Sequence, residues 1–153
     1  MQRTKGIRGQ AARAIAWTAV LTVASGCSTF NRDWKRALQN PPPADSIAGA
    51  WDGSWESEVN GHKDRLRCLI TPASEGRLRA RFRAHYVHVL RFGYTVELEA
   101  RPGGDNTEFE GTANLGWWAG GVYQYEGRAT PTNFFSTYSS KRDHGTFEMR
   151  RPN

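Results

Sequence analysis

The segment from residue 77 to residue 84 carries four arginines that alternate with apolar residues. Successive side chains of an extended strand point to opposite faces, so Arg77, Arg79, Arg81 and Arg83 share one face. A guanidinium group offers a planar fork of donors that binds phosphate or carboxylate oxygens. The row therefore predicts either an exterior face paired with glutamates of neighbouring strands or a contact site for anionic headgroups and polyanions. The glutamates in question are Glu97, Glu99, Glu108 and Glu110.

Two consecutive tryptophans, Trp117 and Trp118, stand between glycines in the segment 115–121. Because neighbouring strand residues face opposite sides, the two indole rings cannot both point into a core. We expect at least one ring at a loop tip or on the outer surface, where tryptophan is frequent in binding sites. The alternative is that one ring covers the open end of the core. The segment 85–94 is aromatic and basic: as a long loop it would contact ligand or membrane, and as a strand it would be ordinary packing.

No residue pattern in the sequence is typical of a catalytic or metal site. His85 and His88 are three residues apart, a spacing that splits them between the two faces of a strand. The adjacent pair Asp143 and His144 lies in a predicted turn, which such residues stabilise. We therefore expect no enzymatic activity, no metal and no cofactor.

Beyond Ile47 apolar residues recur at every second position, which is the period of a β-strand. Turn residues such as glycine, proline and asparagine separate the apolar segments. The predicted strands lie near 49–59, 65–71, 77–84, 94–101, 107–115, 121–130, 134–140 and 145–151.

Eight strands with one apolar face each must bury those faces against one another, and closing the sheet also removes its two edges. The sequence therefore predicts an all-β fold, a small antiparallel up-and-down β-barrel over residues 47–153, with a β-sandwich as the alternative. The side chains expected to line its interior are Trp51, Trp55, Phe82, Tyr94, Tyr123 and Tyr125.

The first 26 residues resemble an export signal, with a basic start followed by an apolar run at 14–25. That run is too short to cross the hydrocarbon layer of a bilayer, which needs about 20 residues. Of the formal net charge of +6, four positive charges lie in this segment and the remaining chain carries only +2. A domain with so small a net charge lacks the field used by nucleic-acid-binding proteins.

The residues Ala24, Ser25, Gly26 and Cys27 follow the apolar run, and residues 1–28 resemble a bacterial lipoprotein precursor. The resemblance implies that the signal peptide 1–26 is removed and that Cys27 is lipidated. Two or more acyl chains hold a protein stably on a membrane. Ser28 implies transport to the outer membrane, on either its periplasmic or its surface face.

Residues 27–46 are predicted to connect the lipidated cysteine to the barrel. Phe30, Trp34 and Leu38 form one apolar stripe on a short helix near 31–39, and three prolines end it. The stripe either packs on the barrel or lies on lipid. Fully extended, the connection would span at most about 65–70 Å, so the barrel could stand clear of the membrane.

The first predicted strand contains Gly49-Ala50-Trp51 and Gly53-Ser54-Trp55, and the last ends in two arginines. This combination resembles the calycin superfamily of lipocalin-like and avidin-like barrels, and the body also resembles uncharacterised bacterial lipoproteins of similar length. The resemblance implies that Trp51 or Trp55 plugs the closed end of a barrel and that Arg150 or Arg151 packs over it.

These features predict an envelope lipoprotein, held on the membrane by its anchor, whose barrel binds a small apolar or amphiphilic ligand or an envelope component. The alternative is a structural or interaction protein with a filled barrel, and a third hypothesis is an envelope hydrolase. A barrel that takes a drug-sized ligand is expected to enclose a pocket of several hundred cubic ångströms.

Overall fold

Strands make up most of the chain beyond residue 48 in the computed structural model, which describes residues 22–74, 76–87 and 89–153, with side chains from Thr29 onward. Helix α1 spans Thr22–Gln39, and a short 3-10 helix spans Trp117–Ala119. The strands are β1 (Gly49–Ser57), β2 (Lys63–Ser74), β3 (Arg77–Tyr86), β4 (Leu90–Pro102), β5 (Thr107–Asn114), β6 (Val122–Ala129), β7 (Asn133–Ser139) and β8 (His144–Arg150). Most of the predicted export signal, together with His88, lies outside the described residues.

The eight strands form a closed antiparallel barrel in which each strand pairs with its neighbours in the chain. β1 closes the barrel by pairing with β8, with Trp55 opposite Phe147. At this seam a Cβ atom on Gly53 would collide with the carbonyl oxygen of Glu148, so the close approach of the two strands requires glycine. The predicted up-and-down barrel is confirmed, and the sandwich alternative is wrong.

The barrel has two ends, which we call the base and the rim. The base carries the β2–β3, β4–β5 and β6–β7 turns together with the start of β1. The rim carries the β1–β2, β3–β4, β5–β6 and β7–β8 turns. Between them the inward faces of all eight strands form one core of aliphatic and aromatic side chains.

Helix α1 packs against the outside of the barrel. Phe30 and Trp34 are buried against Ala50 of β1 and Leu69 of β2. The stripe predicted for this helix therefore packs on the barrel, with one correction: Leu38 is exposed and Ala37 makes the contact instead. At 3.6 residues per turn, position 37 returns to the face of Phe30 more closely than position 38 does. The helix also begins at Thr22, nine residues before the predicted start.

The proline segment after α1 leads the chain to the base of the barrel, where Gly49 packs against Pro42. Among the described residues, no helix combines the length and the apolarity needed to cross a membrane.

Candidate functional site

The six aromatic side chains predicted to line a cavity all point into the barrel, where they pack in its core. The ring centroid of Phe82 lies 5.1 Å from that of Tyr94 and 6.3 Å from that of Tyr125. Tyr123 extends this stack, since its ring centroid is 6.3 Å from that of Tyr125. Trp51 and Trp55 occupy the two ends of the interior. The strand periodicity therefore placed these residues correctly, and their rings fill much of the space between the strands.

Burial holds three of the interior phenols, those of Tyr94, Tyr125 and Tyr138, in their neutral form. Burial raises the pKa of the Tyr94 hydroxyl well above its usual value, and the adjacent Tyr125 adds to the shift. Burial also raises the pKa of Tyr125 and of Tyr138. Charging any of these hydroxyls would place an anion in an apolar interior, which is costly.

The base of the barrel is plugged by Trp51, whose side chain is fully buried. Its indole N–H donates to the carbonyl of Ile47 at 2.9 Å, and the guanidinium carbon of Arg151 lies 3.9 Å from its ring centroid. Arg151 also donates to the backbone carbonyls of Ala48, at 2.7 Å, and Pro131, at 2.9 Å. Of the two tryptophans and two arginines that the calycin resemblance left as candidates, the structure pairs Trp51 with Arg151.

The rim end of the interior is closed by Trp55. Its indole N–H donates to the carbonyl of His85 at 2.9 Å, and its ring packs against His62 and Tyr86 at centroid distances of 5.1 and 6.1 Å. At the same end, the Tyr123 hydroxyl donates to the Ala119 carbonyl of the β5–β6 turn at 3.0 Å. Trp55 is therefore a second plug rather than part of the base.

A polar cluster fastens the β7–β8 turn at the rim. The Ser57 hydroxyl donates to Asp143 Oδ1 at 2.6 Å, and the Tyr138 hydroxyl lies 3.3 Å from Oδ2. The Asp143 backbone N–H donates in turn to the Ser140 hydroxyl at 3.1 Å. Asp143 thus stabilises a turn, as the sequence predicts. Within the described part of the chain, no group of three or more His, Cys, Asp or Glu residues is placed to hold a metal ion.

The four arginines of β3 divide into two pairs. Arg77 and Arg79 are exposed and lie within 3.6–3.9 Å of Glu97 or Glu99 on β4, which is the predicted cross-strand pairing. The guanidinium of Arg81 lies 2.7 Å from the carboxylate of Asp33 on α1.

Arg83 is buried beneath the helix, where it donates to the Asn31 side chain. The guanidinium carbons of Arg81 and Arg83 also lie 5.7 and 5.3 Å from the ring centroid of Phe30. These two arginines therefore bind the helix, a role that the strand pattern alone did not indicate. Of the four arginines of β3, only Arg77 and Arg79 have the exposure that binding an anionic surface requires.

Two grooves lie on the outer surface of the barrel. One, of about 270 Å³, lies between Leu38, the proline segment and Arg151 at the base. The other, of about 360 Å³, is lined by Arg77, Glu99 and neighbouring residues. Both grooves are outside the interior that a carried ligand would occupy.

Trp117 and Trp118 project from the rim, with 82% and 69% of their surfaces exposed. The turn that carries them depends on Gly116 and Gly120, whose φ angles of +86° and +103° favour glycine. The expectation of an exposed tryptophan is confirmed for both rings. The alternative, in which one ring covers the open end of the core, is wrong because Trp55 and Tyr123 close that end.

The β3–β4 turn adds a second apolar projection. The segment 85–94 contributes the end of β3 and the start of β4, so it is strand rather than a long loop, yet Val89 at its tip is 80% exposed. We call the exposed apolar side chains at this end the rim patch. Its members are Val59, Tyr86, Val87, Val89, Leu90, Phe92, Trp117, Trp118 and Val122.

Comparison with known proteins supports the fold alone. No protein-family model matches the chain, and no curated protein matches it. Among solved structures the chain is similar to a redesigned β-barrel, with a TM-score of 0.53 and 15% sequence identity over 70% of this chain and 92% of that one. A similarity at this identity shows that the chain has a β-barrel fold, and a fold does not determine a function.

Proposed function

We propose that this protein is a lipid-anchored envelope protein whose filled barrel is a structural or interaction module. The observation that carries the proposal is the interior, where the six side chains that would line a ligand cavity pack in the core. Pockets for drug-sized ligands enclose roughly 300–1,000 Å³. A filled barrel offers its outer surface, rather than a cavity, to other molecules.

The sequence order at the N-terminus supports the anchor. A basic segment, an apolar run and three small residues precede Cys27, as in bacterial lipoprotein precursors, and Ser28 favours the outer membrane. The contact of Arg151 with Trp51 supports a relationship of the body to calycin-like barrels. In this proposal the membrane is the first partner, through the acyl chains on Cys27.

Binding of a small apolar ligand is the second candidate, and one observation favours it. Phe92 at the rim is part exposed, and its ring centroid lies 6.1 Å from that of Tyr94 in the interior. This contact gives an apolar molecule a path inward if the rings move apart.

Native mass spectrometry of the protein extracted from membranes separates the two candidates. We expect the mass of the mature chain with its acyl groups and no further bound molecule, because the interior is already occupied by side chains. A stoichiometric additional mass, lost when Phe82→Trp enlarges a ring inside the barrel, would replace the proposed role with ligand binding.

The anchor is tested by incorporation of labelled palmitate in cells of a bacterium with two membranes. We expect Cys27→Ser to abolish labelling and processing of the chain. Cys68→Ala is the matched control: it removes the other cysteine, which is buried in the core, and should leave labelling unchanged. Labelling of the Cys27→Ser chain would refute lipidation at this residue, even if an uncleaved signal kept that chain in the membrane.

A further inference from the structure

The exposed apolar side chains of this protein are concentrated at one end of the barrel. Among the described residues, eleven large hydrophobic side chains are exposed, and nine of them belong to the rim patch. The base turns have the opposite character: residues 103–106 are Gly-Gly-Asp-Asn and residues 130–132 are Thr-Pro-Thr. Many large apolar side chains exposed at one end of a fold indicate a site of interaction with a protein or a membrane.

The chemistry of the rim fits the interface of a bilayer. Residues 111–125, the rim half of the β5–β6 hairpin that carries the tryptophans, contain no charged side chain. The β7–β8 turn, at the same end, presents the exposed cations Lys141 and Arg142. Tryptophan is enriched where membranes meet water, and lysine and arginine are attracted to anionic headgroups at the same level.

Helix α1 brings the predicted lipidation site to the same end of the barrel. Midway along the helix, Asn31 contacts Arg83, which lies three residues before the rim end of β3. Near its end, Leu38 lines a groove with Arg151 at the base. The helix therefore runs from the rim towards the base, with Cys27 in its rim-side portion.

Cys27 lies four residues before Asn31, which at 1.5 Å per residue places its backbone about 6 Å further towards the rim. The three residues from Arg83 to the end of β3 span about 10 Å of strand. Strands of closed barrels tilt by about 35–45° from the barrel axis, which shortens the second distance to about 7–8 Å along that axis. Acyl chains on Cys27 would therefore enter a membrane at the level of the rim patch. Because the connection forms a helix docked on the barrel, it does not hold the barrel at the long distance that an extended chain would allow.

We propose that the rim patch rests in the interface of the bilayer that holds the Cys27 acyl chains, so that the barrel stands with its base pointing away from the membrane. This inference rests on the proposed lipid anchor and adds the orientation of the barrel to it. The occupant of the rim patch is a lipid surface that contains anionic headgroups. The tryptophans enter the interface while Lys141 and Arg142 contact phosphates.

The test uses the mature lipidated protein bound to vesicles of phosphatidylethanolamine and phosphatidylglycerol that carry brominated acyl chains. Bromine quenches indole emission only at contact range within the membrane. After signal removal the chain keeps Trp34, Trp51 and Trp55, which are buried, and the two rim tryptophans. We expect brominated lipid to quench part of the emission and the double substitution Trp117→Phe with Trp118→Phe to abolish that quenching.

A matched control moves the probe to the other end of the barrel. In the double variant, Asp105→Trp introduces a single exposed tryptophan in the β4–β5 turn at the base. We expect its emission to be insensitive to brominated lipid and fully quenched by acrylamide in the water phase.

The outcomes separate this inference from the anchor. If the lipidated protein sediments with vesicles but Trp117 and Trp118 are quenched by acrylamide and not by bromine, the orientation is wrong and the anchor stands. That result would also be expected if the rim patch binds a protein. If the purified chain carries no acyl mass, the proposed function fails and the orientation fails with it.

Discussion

At the scale of single residues, Arg151 fastens together parts of the chain that are far apart in sequence. Its guanidinium stacks on Trp51 and donates to the carbonyls of Ser46, Ala48 and Pro131. These groups belong to the entry into β1 and to the β6–β7 turn. Burial lowers the pKa of Arg151, and the carbonyl dipoles and the ring face compensate for the lost hydration of its charge.

Replacing Arg151 is therefore expected to destabilise the barrel. Arg151→Ala should lower the free energy of unfolding by about 1.5–3 kcal/mol, the usual range for losing hydrogen bonds to a charged group. Arg150→Ala is the matched control, since Arg150 is exposed, and it should change the value by less than about 0.5 kcal/mol. Urea denaturation followed by tryptophan emission measures both. Equal midpoints for the two variants would show that Arg151 is no lid.

The contact between Trp51 and Arg151 was predicted only in part from the sequence. The calycin resemblance implied a tryptophan at a barrel end beneath a C-terminal arginine, and left two candidates for each. The structure selects Trp51 because it is the inward residue nearest the base, where the chain also ends. The predicted eight-strand topology contains this choice, because β8 runs antiparallel to β1 and ends beside the start of β1, whereas the resemblance alone does not.

At the scale of elements, helix α1 is held on the barrel by apolar packing together with an ion pair. Phe30 and Trp34 bury apolar surface, while Asp33 pairs with Arg81. The sequence predicted the apolar stripe but not the surface that it contacts, because such a stripe can pack on protein or lie on lipid. The partners of the helix lie far along the chain, with Asp33 and Arg81 separated by 48 residues.

Undocking this helix should leave the barrel folded. We expect Trp34→Ala to expose the helix, and since isolated helices of this length are marginal in water, residues 29–39 should then unfold. Hydrogen exchange by mass spectrometry should show faster exchange in 29–39 and unchanged exchange in the strands. Lys35→Ala, on the exposed face, is the control. Faster exchange throughout the barrel in Trp34→Ala would show that the helix and the barrel unfold as one unit.

The Asp33 contact also gives the helix a pH dependence. The hydrogen bond from Arg81 lowers the pKa of the Asp33 carboxyl below its usual value of 3.8. A lowered pKa means that the contact contributes fully above 3.8 and is lost as the pH falls towards the pKa of the docked state. We expect NMR titration to give Asp33 a pKa below 3.8 and Arg81→Gln to raise it towards that value. The same pKa in both proteins would contradict the pairing.

At the scale of the whole molecule, alternation of apolar residues determines most of the architecture. Eight segments of period two, separated by short turns, predicted a closed barrel, and each segment corresponds to one strand. Periodicity says which side chains point inward but not how much room remains between them. How closely the interior is packed depends on ring orientations such as those of Phe82, Tyr94 and Tyr125, which only the three-dimensional packing fixes.

If the barrel is filled as proposed, it should open only as a unit, and the reactivity of Cys68 tests this. Its side chain is fully buried in the core, and burial raises the pKa of its thiol well above the usual value. Both effects suppress the reactive thiolate, so we expect alkylation of Cys68, located by peptide mass spectrometry, to follow global unfolding in urea.

Asp105→Cys in the same chain provides the exposed control, and it should react at once in the native state. If Cys68 were alkylated well before the tryptophan emission changed, the interior would open locally and admit small molecules without unfolding. A barrel that opens locally could take a ligand despite its packed rings. If protection of Cys68 and the native tryptophan emission are instead lost at the same urea concentration, small molecules reach the interior only when the barrel unfolds.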